Sequence, residues 1–134
     1  MTLAPTIHAT AVLVGARAVL IRAGDGGAVP FARLVGDDRV HVEAAHGRLL
    51  VRPAATIAGL IEIRGLGIRR VAHEPVAAVG LVVDLGAGDA ERLPARESTV
   101  TDVAGITLPR LAVAPRDAPL PLVIAALRTE DSGR

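Results

Sequence analysis

The sequence consists of short apolar runs that alternate with turns containing Gly or Pro. Val and Ile are frequent in these runs, and β-branched side chains pack well on a pleated sheet. Residues 76–85 form the most β-branched run, which predicts a central strand. Residues 120–127 are the best helix candidate, because Pro119 and Pro121 stand near the start, where proline is tolerated. The pattern predicts a fold dominated by strands, with little helix.

Turns group the other runs into hairpins. A strand over residues 7–14 returns through a turn at 15–17 to residues 18–21, and a strand over 39–43 returns through 45–47 to residues 48–52. The remaining expectations are a strand over 31–35, one helical turn within 54–59, a polar connection over 69–75, a turn at 86–89, irregular structure over 90–101, and a hairpin or edge strands over 103–113.

Composition limits the classes of function. A chain of 134 residues, about half apolar, suits a single domain, which we place at residues 1–128 with a polar tail at 129–134. One aromatic residue and a net charge of +1 argue against nucleic acid as a partner. There is no membrane-length apolar run and no signal-peptide pattern, so we expect no membrane partner. The absence of cysteine excludes disulfides and fits a reducing compartment.

The chain contains no Lys, and all fifteen of its Lys and Arg residues are therefore Arg. Asn and Gln are also absent. A Schiff-base lysine and the phosphate-binding lysine of a P-loop are thus excluded for the sequence as it stands.

Residues 60–68 place a carboxylate and a guanidinium in an otherwise apolar segment. In a strand, Glu62 and Arg64 would share one face while Ile61 and Ile63 point into the core. Gly residues at 65 and 67 then interrupt the regular pattern and allow a close backbone approach. The same residues also fit a solvated ion pair with no chemical role.

Asp37 and Asp38 end a predicted strand. Two adjacent acids there can bind a divalent cation, and one can act as a base toward a hydroxyl group. They also fit an ordinary Asp-rich turn. His8, in an apolar strand, fits either a structural or a catalytic residue.

Other candidates carry weaker signals. The remaining histidines, at 41, 46 and 73, lack metal-ligand spacing, so no zinc site is expected. The glycine-rich loop over residues 24–27 follows a strand, as a phosphate loop does, but lacks the G-x-x-x-x-G-K-[ST] pattern. Arg92 and Arg116 could contact a phosphate group or simply be solvated.

In their order, these pieces resemble the C-terminal catalytic domain of the bacterial HPr kinase/phosphorylase, in the short form that lacks the usual N-terminal domain. The resemblance covers about residues 6–127. It rests on Ile7-His8-Ala9, Ala18-Val19-Leu20-Ile21, Leu34-Val35-Gly36-Asp37-Asp38-Arg39-Val40 and, above all, the signature-like stretch Glu62, Ile63, Arg64, Gly65, Leu66, Gly67, Ile68. It implies an α/β, P-loop-kinase-like domain that is mainly β-sheet with few helices.

The resemblance also implies a function. The family transfers a phosphoryl group from ATP or pyrophosphate to a serine of the phosphocarrier protein HPr, with Mg2+, and reverses this by phosphorolysis. It acts in the cytoplasm, in regulation of the sugar phosphotransferase system, and a homo-oligomer is possible. Carried over by position, His8 is a catalytic histidine, Asp38 the proton acceptor and donor, Glu62 a magnesium ligand and Arg92 a catalytic arginine. Residues 113–116 occupy the place of a late loop linked to dephosphorylation, although their sequence departs from the family pattern.

One departure from the family matters most: the P-loop and its helix, expected after Leu20-Ile21-Arg22, are missing. Three explanations fit: a segment of the protein that this sequence lacks, an in-frame deletion, or a member that has become a non-catalytic HPr-binding module. Because the missing helix normally covers one face of the sheet, we expect the apolar side chains of residues 76–85 to be exposed over a large patch.

Overall fold

The computed structural model describes residues 5–22 and 33–133, and these residues form eleven strands, two 3-10 helices and one α-helix. The predicted dominance of strands is confirmed. The strands are β1 (Thr6–His8), β2 (Thr10–Val14), β3 (Arg17–Arg22), β4 (Arg33–Gly36), β5 (Arg39–Ala45), β6 (Arg48–Pro53), β7 (Leu60–Ile63), β8 (Gly67–Arg70), β9 (Ala77–Leu85), β10 (Val100–Val103) and β11 (Ile106–Val113). The 3-10 helices span Ala55–Ile57 and Arg96–Thr99, and α1 spans Pro119–Arg128.

Nine strands form one sheet, in the order β1-β5-β6-β9-β3-β2-β4, with β11 beside β9 and β10 beside β11. Strand β9 runs parallel to both β3 and β11 and antiparallel to β6. It is therefore the central strand that its β-branched composition predicted. The carboxyl ends of β3, β9 and β11 meet at one edge of the sheet.

The sheet turns back on itself through a bent ribbon. Strand β1 pairs with β5 and strand β2 pairs with β4, both antiparallel, and only Ala9 separates β1 from β2. The β1–β5 pair and the β2–β4 pair therefore follow one another along a single two-stranded ribbon. One chain segment of this ribbon bends at Ala9 and the other bends at Asp37-Asp38. Since β1 and β2 lie near opposite ends of the strand order, the bend encloses a core. The single strand predicted over residues 7–14 is accordingly broken at Ala9.

Side chains alternate between two buried clusters, one on each face of the sheet. The inner cluster contains Leu20, Val35, Val40, Leu49, Val51 and Val82 among its fully buried members. The outer cluster contains Val12, Val19, Leu81, Val83 and Val113, with Val123 and Leu127 of α1 packed against it.

The large exposed patch expected on the central strand is absent from the described residues, so that prediction was wrong. Val82 and Val83, adjacent on β9, are both fully buried although they face opposite sides. The reason is that the sheet closes over its inner face, while α1 packs on part of the outer face.

Strands β7 and β8 form a separate two-stranded sheet, and here three expectations fail. Ile61 and Ile63 are half-buried and belong to neither core cluster. Strand β7 ends at Ile63, so Arg64 lies in the turn and does not share a strand face with Glu62. Arg69 and Arg70, predicted to be a connection, belong to β8. A hairpin beside the main sheet can hold polar side chains on its strands because water covers them.

The remaining expectations have mixed outcomes. The hairpins β2–β3, β5–β6 and β10–β11 and the helix are confirmed, although β10 begins inside the segment predicted to be irregular. The glycine-rich loop at 24–27 and Phe31, the first residue of a predicted strand, lie outside the described residues. Within the described part of the chain, no helix is long and apolar enough to cross a membrane.

Candidate functional site

The bend in the ribbon brings together two of the predicted catalytic residues. His8 ends β1, and Asp38 lies between β4 and β5. The His8 Nδ1 atom is 3.2 Å from the Asp38 Oδ1 atom. Both side chains are about two-thirds exposed, at 69% and 67%. The pair is thus preformed and open to a molecule approaching from solvent.

Backbone geometry at the bend aims Asp38 toward His8. Asp38 has a φ of 66°, in the left-handed region that few non-glycine residues adopt and that Asp tolerates better than most. The Ala9 N–H donates to the Asp38 carbonyl at 3.1 Å, and the Arg39 N–H donates to the Asp37 carbonyl at 2.7 Å. Sparsely populated backbone conformations of this kind cluster at functional sites, where the surrounding structure holds them in place.

The neighbouring acid, Asp37, has a different environment. The Thr10 hydroxyl donates a hydrogen bond to the Asp37 Oδ1 atom at 2.6 Å. Thr10 is the one buried polar residue among those described, with 6% exposure, and Asp37 satisfies its side chain. Asp37 therefore fixes the bend, which leaves Asp38 as the acid that faces solvent.

The His8–Asp38 pair has the chemistry of a general base. A carboxylate within hydrogen-bonding reach of a hydroxyl group can accept its proton while that oxygen attacks an electrophile. The imidazole at 3.2 Å can orient the carboxylate and share its charge.

The structure does not join the other two predicted site residues to this pair. Glu62 is exposed on β7, opposite Ile68 of β8, and Arg92 is exposed in the segment that follows β9. Within the described residues, no hydrogen bond or ion pair links either side chain to His8 or Asp38. The metal role of Glu62 and the catalytic role of Arg92 remain predictions.

The signature-like stretch is the hairpin β7–β8 and its turn. Gly65 and Gly67 have φ values of 89° and 90°, which explains why glycine stands at both positions. Leu66 in the turn and Ile68 on β8 are 63% and 68% exposed. Two large apolar side chains on a projecting hairpin are available for contact with another protein.

Sequence reasoning missed an ion-pair network at the carboxyl ends of the parallel strands. Arg22 of β3 donates two hydrogen bonds to the Asp84 carboxylate of β9, at 2.7 and 2.8 Å. Arg110 of β11 donates to Asp84 at 2.7 Å, to Asp89 at 2.8 and 3.0 Å, and to the Ser98 carbonyl at 2.9 Å. The only signal in the sequence was a charged residue at or near the end of an apolar run, as for Arg22 and Asp84, or within one, as for Arg110.

The network keeps its groups charged. Burial raises the pKa of Asp84, but the hydrogen bonds and charges of Arg22 and Arg110 outweigh burial and leave this pKa below its ordinary value of 3.8. The hydrogen bond from Arg110 likewise lowers the pKa of Asp89. The pKa of Arg110 is raised, chiefly by its hydrogen bond to Asp89 and then by that to Asp84.

The described residues do not fit a nucleotide with its magnesium ion. In α/β sheets such ligands bind beyond the carboxyl ends of the parallel strands, where the backbone and a lysine cradle the phosphates. At this edge Arg22 forms an ion pair with Asp84, and the chain contains no lysine. No group of three His, Asp or Glu side chains in the described part of the chain is placed to hold a metal ion.

Comparison with known proteins identifies the fold. No family model matches the chain, and no curated protein matches it. Among solved structures it is similar to the HPr(Ser) kinase/phosphatase from Coxiella burnetii, with a TM-score of 0.68. The two are 22% identical, and the alignment covers 92% of this chain and 93% of the other. The mainly β-sheet fold of the HPr kinase C-terminal domain, expected from the sequence, is therefore confirmed.

Proposed function

We propose that this protein is an HPr kinase/phosphorylase-like phosphoryl transferase that acts on a serine of the phosphocarrier protein HPr, within regulation of the sugar phosphotransferase system. The observation that carries the proposal is the exposed His8–Asp38 pair, 3.2 Å apart, at the bend of a fold similar to that of an HPr(Ser) kinase/phosphatase. An exposed pair suits a protein substrate, because the serine must reach the base while the rest of HPr stays outside.

In this proposal Asp38 accepts the proton of the HPr serine hydroxyl as the serine oxygen bonds to phosphorus. The bond between that phosphorus and the bridging oxygen of the donor breaks, and ADP or inorganic phosphate leaves, depending on whether the donor is ATP or pyrophosphate. In the reverse reaction, phosphorolysis, an oxygen of inorganic phosphate bonds to phosphorus and pyrophosphate forms. Asp38 returns the proton to the serine oxygen as the bond from that oxygen to phosphorus breaks. Asp37 keeps the bend in place through Thr10. A protein catalyses phosphoryl transfer chiefly by positioning and electrostatic stabilisation, and the pair and its bend would supply the positioning together with a proton acceptor.

The resemblance implies ATP as donor and Mg2+ as cofactor, with Glu62 as metal ligand and Arg92 as catalytic arginine. The described residues do not fit a nucleotide–magnesium group, so we derive no step through it. The phosphoryl donor is left to experiment, with ATP and pyrophosphate as the two to test.

A second candidate is a degenerate module that binds HPr without transferring a phosphoryl group. This candidate is favoured because Arg22 donates two hydrogen bonds to the Asp84 carboxylate at the edge of the sheet where phosphates are expected. Those donors are therefore not available to a phosphate group. The exposed Leu66 and Ile68 would serve a binding module as well as an enzyme.

The test of transfer uses the full chain, HPr, and either ATP with Mg2+ or pyrophosphate, with phosphoserine on HPr measured by mass spectrometry. We expect transfer, and we expect Asp38→Asn to reduce it by about 100-fold or more because the base is lost. Asp37→Asn is the matched control, since an amide oxygen can still accept the Thr10 hydrogen bond, and it should retain most of the activity. Full activity of Asp38→Asn would refute the assigned base.

Calorimetry separates the two candidates. Binding of ATP in the presence of Mg2+ by this chain would count against the degenerate module. Binding of HPr without ATP binding and without transfer would favour the module. Failure of this chain to bind HPr would contradict both candidate functions.

A further inference from the structure

The ladder between β1 and β5 places an arginine beside the His8–Asp38 pair. His8 and Arg39 are direct partners in this antiparallel ladder. Directly opposite residues project from the same face, with Cβ atoms about 4.5–5.5 Å apart. That face is the outer one, because Ile7 and Val40, the next pair along the ladder, contribute to the inner core. His8, Asp38 and Arg39 therefore border one exposed surface.

Arg39 differs from those arginines whose guanidinium forms an ion pair with a carboxylate. Arg22 and Arg110 are bound to Asp84, Arg33 to Glu74, and Arg52 to Glu43. Arg39 is exposed, and no hydrogen bond or ion pair engages its guanidinium within the described residues. Its donors are available to a ligand.

A phosphoryl group at Asp38 needs a cation of this kind. The Asp38 carboxylate repels a dianionic phosphate monoester, and the chain has no lysine to offset that repulsion. A guanidinium can donate two parallel hydrogen bonds to phosphate oxygens, which fixes orientation as well as charge. Arg39, opposite His8 in the ladder, places such a guanidinium on the neighbouring strand, about 5 Å from the backbone of His8.

We propose that Arg39 binds the phosphoryl oxygens of the ligand at the His8–Asp38 pair, either the phosphate monoester of a phosphoserine or inorganic phosphate. The inference rests on the proposed function, since it assumes that the pair meets a phosphorylated serine. It assigns substrate binding to a residue outside the catalytic pair, and it needs no nucleotide.

The test is a titration of the isotopically labelled full chain, followed by NMR signals of the His8 ring and the Arg39 side chain. Inorganic phosphate and a phosphoserine peptide are the probes, with chloride at equal ionic strength as the control. We expect saturable shifts at both residues with at least one phosphate probe. The two probes distinguish free phosphate from the monoester.

Three variants separate a specific contact from general charge. Arg39→Ala should weaken phosphate binding by about tenfold or more, the equivalent of one charge-assisted contact, and Arg39→Lys should restore part of it. Arg48→Ala is the matched control, because Arg48 is exposed on the same face of the sheet. Arg48 lies on β6 opposite Ala45, which is about 20 Å from Arg39 along β5. It should bind phosphate like the wild type. Circular dichroism checks that each variant is folded.

Unchanged phosphate binding by Arg39→Ala, or no saturable shift at His8 in the wild type, overturns the inference. These results are independent of the transfer assay. If Arg39-dependent phosphate binding occurs without transfer to HPr, the inference stands and the kinase proposal fails. If transfer occurs and Arg39→Ala leaves both kcat and KM unchanged, the inference alone fails.

Discussion

At the scale of the residue, two adjacent aspartates have different tasks because the backbone turns between them. Asp37 accepts a hydrogen bond from the buried Thr10 hydroxyl, while Asp38, with a φ of 66°, turns outward to His8. The sequence predicted an acid pair at the end of a strand and, through the resemblance, His8 beside it. It could not assign the structural role to Asp37, because that role depends on a contact between residues 27 positions apart.

The first prediction concerns the stability of this bend. Asp37→Ala leaves the buried Thr10 hydroxyl without an acceptor, so we expect the free energy of unfolding to fall by about 1–3 kcal/mol. Adding Thr10→Val removes the unsatisfied hydroxyl and should recover part of that loss. Urea denaturation of the two single variants and the double variant measures this coupling. Strictly additive effects would mean that the hydrogen bond contributes nothing.

At the scale of the element, strands were predictable where a run of residues is mainly apolar. Strands β3 and β9 and helix α1 were predictable because their apolar side chains meet a core cluster. Strand β8 was not, because Arg69 and Arg70 lie on a hairpin outside the main sheet, where strand formation depends only on pairing with β7. The ion pairs that join β3, β9 and β11 were also beyond local reasoning, since they depend on which strands become neighbours.

The second prediction concerns the pH dependence of that network. The pKa of Asp84 is lower in the folded state, so the unfolded chain binds the proton more tightly and stability from this group rises with pH. Its contribution is complete above the ordinary value of 3.8 and is lost as the pH falls through the lower folded value. Urea denaturation between about pH 3 and pH 5 should therefore show a steeper loss for the wild type than for Asp84→Asn. Equal slopes would show that the network does not hold the charge of Asp84.

The third prediction concerns the cover that α1 gives to the outer cluster. Leu127 packs against that cluster, whereas Leu122, on the same helix, is 40% exposed. Leu127→Ala should lower the free energy of unfolding by about 1–2 kcal/mol, because the side chain is only partly buried. Leu122→Ala, the same chemical change, should cost clearly less. A larger loss for Leu122→Ala would contradict the observed packing.

At the scale of the whole molecule, closure of the sheet explains how the described residues, 5–22 and 33–133, form a core without a P-loop helix among them. The bent ribbon joins the ends of the strand order, and Val82 and Val83 are buried on opposite faces. The resemblance led us to expect an exposed sheet, because the missing helix covers one face of the sheet in that family. Hydrophobic periodicity could not correct this expectation, since it reports which residues are apolar and not which element covers them. The arrangement of the strands was predictable only through the resemblance. A resemblance to a family implies which elements are neighbours in the fold, whereas local sequence patterns predict only single elements.

Closure also bears on function at this scale. It brings the end of β1 against the start of β5, and thereby creates a surface with His8, Asp38 and Arg39 at its border. The hairpin with Leu66 and Ile68 projects outside the main sheet. We propose, as the central claim, that HPr presents its serine to the His8–Asp38 pair.

The most direct test of that claim is an NMR titration of the labelled chain with unlabelled HPr. We predict saturable changes in the signals of His8 and Asp38, and smaller changes when the serine of HPr is replaced by alanine. Unchanged signals from His8 and Asp38 at saturating HPr would contradict the account.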